Sequence, residues 1–140
     1  GIELDKNFYL PFFSQNIREF WNRWHITFTC WLKEFVFQPF IKKFKKSRQS
    51  SCPLLKNCLA YLVTMSALGL LYGMTPSYLL FALYHGLLLC VHEILIQKSM
   101  LYKKWKSRPL FQIFSWFFTL QLLMLGFLIL SGMLPKIFSL

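Results

Sequence analysis

Acidic side chains are scarce in this chain. Among 140 residues there are five, Glu3, Asp5, Glu19, Glu34 and Glu93, against 16 lysines and arginines, leaving a net charge of +11. A basic surplus of this size has two ordinary sources, nucleic-acid binding or the cytoplasmic loops of a membrane protein. The four cysteines, Cys30, Cys52, Cys58 and Cys90, have no C-x-x-C spacing, so neither a zinc site nor a redox pair is indicated. Buried or lipid-facing thiols are their ordinary reading. Histidine is rarer still, with His25, His85 and His92 alone. His85 and His92 stand seven apart on one helical face, but a haem or metal would need more partners than His25 can add. Buried histidines bonded to a neighbouring helix are the simpler reading, and no cofactor is expected. The opening residues carry no signal-peptide pattern, and the chain is expected to continue upstream. The chain opens at Gly1, and "IELDKNFYLPFFSQN" is an amphipathic segment with Pro11 rather than a start.

Apolar residues are abundant instead. They make up 56% of the chain, including 16 Phe, 5 Trp and 6 Tyr, which is rich for a soluble domain of this length. The positions of the charges decide between the two sources of basicity. Lys42, Lys43, Lys45, Lys46 and Arg48 form one cluster, and Lys98, Lys103, Lys104, Lys106 and Arg108 form another. Long apolar runs separate and follow them, which a nucleic-acid-binding domain has no reason to carry. Residues 57–74 and 78–91 are nearly free of charge, and 110–134 has no charged residue in 25 positions, so membrane helices are expected over 57–74, 77–97 and 110–134. As a helix that last run would be about 37 Å long, enough to cross a hydrocarbon core of ~30 Å. Two crossings separate the basic stretches 42–51 and 98–108, which are expected to be loops on the cytoplasmic side. The fold class is therefore an all-α, polytopic membrane helical bundle in the lipid bilayer, with no nucleic-acid partner.

"NIREFWNRWHITFTCWLKEFVF" breaks this pattern. Asn16 followed by Glu19 reads as an N-cap with its capping-box partner, so a helix is expected over 16–38. At 100° per residue Trp21, Trp24, Phe28, Trp31 and Phe35 form one stripe. Arg18, Asn22, His25, Thr29 and Lys33 form a second stripe beside it, and Glu19 and Arg23 can pair on the far side. One reading is an interfacial helix whose aromatics sit at headgroup level. The other is a helix whose polar stripe lines a water-filled cavity inside the membrane. Periodicity leaves both open.

The stretch "FWNRWHI", with "NFYLPFFSQNI" before it and "WLKEFVF" after it, resembles the signature of the membrane-bound O-acyltransferases (MBOAT). The nearest likeness is to their D-alanyl transfer branch, in which F-W-N-R-W-H is followed by W-F-R-D-F-V-F. Lys33 and Glu34 replace that Arg and Asp and keep both charges. The tail "LMLGFLILSGML" is similar to the branch's closing "SFLIFSGFL". The likeness spans nearly all 140 residues. It corresponds to the C-terminal third of a family member, so residues 1–140 are expected to be one C-terminal portion of such a domain. The resemblance implies a multi-pass plasma-membrane protein. It further implies a D-alanyl carrier protein docking from the cytoplasm, where the basic clusters could offer it a surface, and an alanyl group that ends on teichoic acid. It also implies acyl transfer, in which a hydroxyl attacks a thioester carbonyl and must lose its proton. A histidine near neutral pKa suits that task.

One position departs from the pattern. The family's second histidine lies in a G-F/L-W-H-G motif thirteen residues before a hydrophobic-H-G motif. Here the latter is "FALYHG", with His85, and thirteen positions back, in "GLLYGMT", stands Tyr72. A phenol of pKa near 10 is a poor proton acceptor at pH 7, where an imidazole of about 6.5 is a good one. The resemblance thus implies catalytic positions at His25 and Tyr72, the latter expected to be inactive as a base. Arg18, Asn22, Thr29 and His85 are expected to line the cavity. A truncated or non-catalytic paralogue, acting as a membrane adaptor, is the alternative that Tyr72 raises. Gly69 and Gly73 form a G-x-x-x-G, which ordinarily permits close helix packing.

Overall fold

A computed structural model of the chain describes residues 10–46, 52–73 and 75–131. A 3₁₀ turn, Pro11–Phe13, leads into α1 (Ile17–Arg23) and α2 (Ile26–Leu32). A π-helical turn, Lys33–Phe37, continues α2 into α3 (Gln38–Lys46). Three long helices follow, α4 (Pro53–Tyr72), α5 (Pro76–Lys98) and α7 (Pro109–Leu130), with the short α6 (Met100–Trp105) between the last two. The described residues contain helices and no strand.

The three long helices have 20, 23 and 22 residues, or about 30–35 Å at 1.5 Å per residue. Each is long and apolar enough to cross a bilayer. Each also opens with proline in its first turn, where the missing N–H costs no hydrogen bond. The expected spans 57–74 and 77–97 begin and end within a few residues of α4 and α5. The third, 110–134, begins with α7, and its last residues, 132–134, lie outside those described.

Helices α4 and α5 form an antiparallel hairpin around Gly73, whose φ of 140° no other residue type adopts readily. Gly73 therefore ends α4. Gly69, its partner in the G-x-x-x-G, is the packing residue: a Cβ there would lie 2.8 Å from that of Ala82 and 3.2 Å from the Tyr78 carbonyl. Near the other end of the hairpin Cys58 and Cys90 exchange bonds, each thiol donating to the other's carbonyl oxygen at 3.9 and 3.4 Å. The start of α4 thus lies beside the end of α5, which brings the two basic stretches to one end of the bundle. They are not simple loops, however. Lys42 and Lys43 lie on α3, and Lys103 and Lys104 on α6; residues 47–51 lie outside those described.

Helix α7 packs on α5, where Gly126 meets the His85 imidazole and the Tyr84 hydroxyl donates to the Leu122 carbonyl at 2.9 Å. The N-terminal segment is tied to α7 by side chains that donate to its carbonyls. Trp116 Nε1 reaches Phe12 at 2.8 Å, and the hydroxyls of Ser115 and Thr119 reach Gln15 at 2.5 and 3.0 Å. The core where α1, α4, α5 and α7 meet contains Phe20, Trp21, Leu68, Phe81 and Leu123.

Candidate functional site

The start of α1 follows from its sequence. Asn16 Oδ1 accepts from the Glu19 amide at 2.8 Å, and Glu19 Oε2 accepts in turn from the Gln15 amide at 3.0 Å. The reciprocal bond falls one residue earlier than in the usual capping box. Glu19 also pairs with Arg23, one turn on, at 2.5 Å.

The helix expected over 16–38 does not run through. It stops at Arg23, Trp24 is extended, and His25 takes left-handed values of φ 43° and ψ 54° as the N-cap of α2. That conformation costs a residue with a Cβ roughly 1–2 kcal/mol. Packing around Trp24 holds it: the indole stacks on Phe20 at 5.5 Å and meets Phe12 and Phe127 at 6.1 and 5.7 Å. The Thr29 hydroxyl, donating to the Trp24 carbonyl at 3.0 Å, closes the break. Beyond it, the π turn shifts the register again.

These interruptions undo both stripes. Trp21 is buried, whereas Trp31 and Phe35 are 45% and 62% exposed. The polar residues divide between two cavities. Arg18, Asn22 and Thr29 line one of about 290 Å³, together with Lys33, Tyr61 and Thr64. His25 lines a second, of about 220 Å³, with Tyr72. Trp21 borders both.

In the first cavity Arg18 pairs with Glu93 of α5. The Glu93 carboxylate also accepts from Asn57 at 2.9 Å and from Gln97 at 2.6 Å, and the Arg18 guanidinium lies 5.7 Å from the centre of the Tyr61 ring. Glu93 is 5% exposed. An ionised side chain buried in a spanning helix is costly unless paired, and here three donors pair it. Lys33 donates to Asn22 Oδ1 at 2.5 Å across the break between α1 and α2. Periodicity gave no warning of the Arg18–Glu93 pair, which joins residues 75 positions apart. One signal was available: Glu93 is an acid in an apolar run and needs a cation.

In the second cavity the Tyr72 ring lies 6.5 Å from that of His25 and 5.6 Å from that of Phe28. Tyr78, one turn into α5, stacks on Tyr72 at 6.0 Å; sequence reasoning had not singled it out. Tyr72 stands at the last turn of α4 and is 39% exposed. His85 lines neither cavity, contrary to expectation. It is 1% exposed, accepts at Nδ1 from Trp21 Nε1 at 3.3 Å, and fills the space left by the missing side chain of Gly126. Its Nε2 is buried without a partner. His85 therefore joins α1, α5 and α7 as a packing residue.

The arrangement thus sets an imidazole and a phenol across a small aromatic cavity, with a charged network beyond Trp21. An imidazole can accept a proton, and a phenol can donate a hydrogen bond to a developing oxyanion.

Known proteins are similar to this chain in sequence. The chain is 30% identical over 132 residues to the teichoic acid D-alanyltransferase of Bacillus subtilis, covering 94% of this chain and 33% of that protein. It is 29% identical over 143 residues to the teichoic acid D-alanyltransferase of Streptococcus thermophilus, covering 96% and 34%. A probable alginate O-acetylase, AlgI, of Pseudomonas fluorescens is 27% identical over 129 residues, covering 92% and 23%. The chain therefore spans about a third of the length of the D-alanyltransferases it matches. The sequence profile of the MBOAT, membrane-bound O-acyltransferase, family matches residues 1–134. With three helices fit to cross a membrane and that match over nearly its whole length, the chain belongs to the membrane-bound O-acyltransferase family.

Proposed function

We propose that residues 1–140 form one portion of a multi-pass plasma-membrane acyltransferase that passes D-alanyl groups from a carrier protein to teichoic acid. The observation that carries this reading is the meeting of His25 and Tyr72, 47 positions apart, with ring centres 6.5 Å from each other at one cavity. The similarity to teichoic acid D-alanyltransferases supports the choice of acyl group and acceptor.

In this reading the acceptor hydroxyl attacks the thioester carbonyl, its proton passes to the His25 imidazole, and the thiolate leaves with a proton returned to it. Tyr72 donates a hydrogen bond to the carbonyl oxygen as it gains negative charge. Lys33, on the wall of the neighbouring cavity, supplies positive charge toward an anionic donor or acceptor, while the charge of Arg18 is taken up by Glu93. The basic stretches at one end of the bundle face the cytoplasm and the carrier protein.

A second reading rests on Tyr72 itself. With a phenol where the family resemblance puts a histidine, the site lacks one proton acceptor, and the protein binds carrier or lipid as an adaptor without turnover. The two readings separate in bacteria deprived of their own D-alanyl transfer. The wild-type protein restores ester-linked D-alanine to teichoic acid under the first reading, and His25→Ala abolishes the gain. No restoration beyond the empty vector would sink the first reading.

A further inference from the structure

The cavity beside Tyr72 has a makeup that acid–base chemistry does not require. Among the described residues its wall is aromatic almost throughout, with Leu130 the single aliphatic side chain and no carboxylate, lysine or arginine lining it. Neighbouring rings follow one another closely around it. Tyr78 stacks on Tyr72 at 6.0 Å, Tyr72 meets His25 at 6.5 Å, and His25 meets Trp24 at 5.9 Å. Trp24 then meets Phe127 at 5.7 Å, and Phe127 meets Phe81 at 6.3 Å. Phe81 and Tyr78 are one turn apart on α5, which closes the circuit.

Aromatic faces carry negative potential, and a cation is held within about 6 Å of a ring centre. A small cation in the middle of this circuit would lie near several aromatic rings at once. The volume, about 220 Å³, falls below the roughly 300–1,000 Å³ of pockets for drug-sized ligands, which limits the occupant to a small group.

We infer that this cavity is a cation-recognising aromatic cage, built to hold the ammonium group of an aminoacyl substrate, with Tyr72 as one of its walls. A neutral acyl group such as acetyl would gain no electrostatic attraction there. The tyrosine that weakens the site as a base thus serves it as a binding surface, since a phenol offers a larger π face than an imidazole. Identifying the ammonium as that of an alanyl group rests on the D-alanyl reading above; the cage itself does not.

The test is binding to the purified protein in detergent, followed by quenching of tryptophan fluorescence, which Trp21 and Trp24 at the cavity report. The probes are D-alanine methyl ester, tetramethylammonium, and methyl isobutyrate, a neutral mimic of the ester with methyl in place of ammonium. Both cations should bind about tenfold or more tightly than the neutral ester. Tyr72→Phe keeps the ring and should hold affinity within about threefold, while Tyr72→Leu should lose about tenfold. Because Tyr72 is partly exposed at the end of α4, both variants should fold, and unchanged thermal unfolding verifies it. Raising the pH past about 8 neutralises an α-amino group, so the ester should release while tetramethylammonium stays.

Equal binding of cation and neutral mimic, no binding of either cation, or a Tyr72→Leu protein that binds like wild type would overturn the cage. The D-alanyl reading fails separately. Selective cation binding with no D-alanine on teichoic acid leaves the cage standing without that function. D-alanine transfer by a protein blind to charge leaves the function without the cage.

Discussion

Replacing Glu93 with alanine should be among the more damaging single changes in the bundle. The carboxylate is 5% exposed and accepts from Arg18, Asn57 and Gln97. Its loss leaves a guanidinium and two amides facing an apolar interior. Removing one partner of a fully buried ion pair costs about 3–5 kcal/mol. The Arg18 side chain is 38% exposed, so water can recover part of its solvation, and the expected cost falls to about 2–3 kcal/mol. Glu93→Gln keeps the shape and one acceptor oxygen, and should cost about 1–2 kcal/mol. Arg18→Met combined with Glu93→Gln removes both charges and should be milder than Arg18→Met alone, which strands a buried carboxylate. The assay is unfolding of each purified variant in detergent, by heat or by titration with a denaturing detergent, followed by tryptophan fluorescence. A Glu93→Ala protein as stable as wild type, or a double variant no better than Arg18→Met, would refute the claim that this network braces α1 against α5.

Three further changes probe other parts of the fold. Gly126→Ala sets a Cβ 2.6 Å from His85 Nε2 and 3.2 Å from the Tyr84 ring; it should cost about 1–3 kcal/mol, whereas Gly86→Ala, meeting a mobile Leu62 methyl at 3.1 Å, should cost less in the same unfolding assay. His25→Gly relieves the left-handed backbone and should be about 1 kcal/mol more stable than His25→Ala, yet both should lose D-alanine transfer, which separates the backbone role of this position from its chemical one. For topology, single cysteines replacing Lys43 and Ser107 in a cysteine-free background should react with impermeant reagent only from the cytoplasmic face; labelling from opposite faces would contradict the antiparallel α4–α5 hairpin as a membrane-crossing pair.

The long helices were legible because a bilayer imposes one simple demand, some twenty apolar residues in a row. Runs 57–74 and 77–97 met it, and their helices differ only in where proline and Gly73 set the ends. Asn16 and Glu19 signalled the start of α1 because capping acts over three residues. The region from Trp24 to Phe37 was misread for the opposite reason. Nothing in "RWHI" breaks a helix by propensity; the left-handed His25 is imposed by Trp24 packing among Phe12, Phe20 and Phe127, contacts that reach across the fold. The same holds for the site. The resemblance pointed to His25 and Tyr72, but Tyr78, Glu93 and the burial of His85 against Gly126 depend on the pairing of helices far apart in sequence.

The central claim is that the Tyr72 hydroxyl steadies the carbonyl oxygen while His25 takes the proton, and the most direct measurement compares D-alanine incorporated into teichoic acid by the wild-type and Tyr72→Phe proteins at equal expression in the same membranes. Removing one hydrogen-bond donor from an oxyanion costs about 10²–10³ in rate. The account predicts that Tyr72→Phe transfers more slowly by a factor in that range, since the ring stays 6.5 Å from that of His25 and only the hydroxyl is lost. Equal rates in the two proteins would contradict it, and would mean that the Tyr72 hydroxyl takes no part in the transfer.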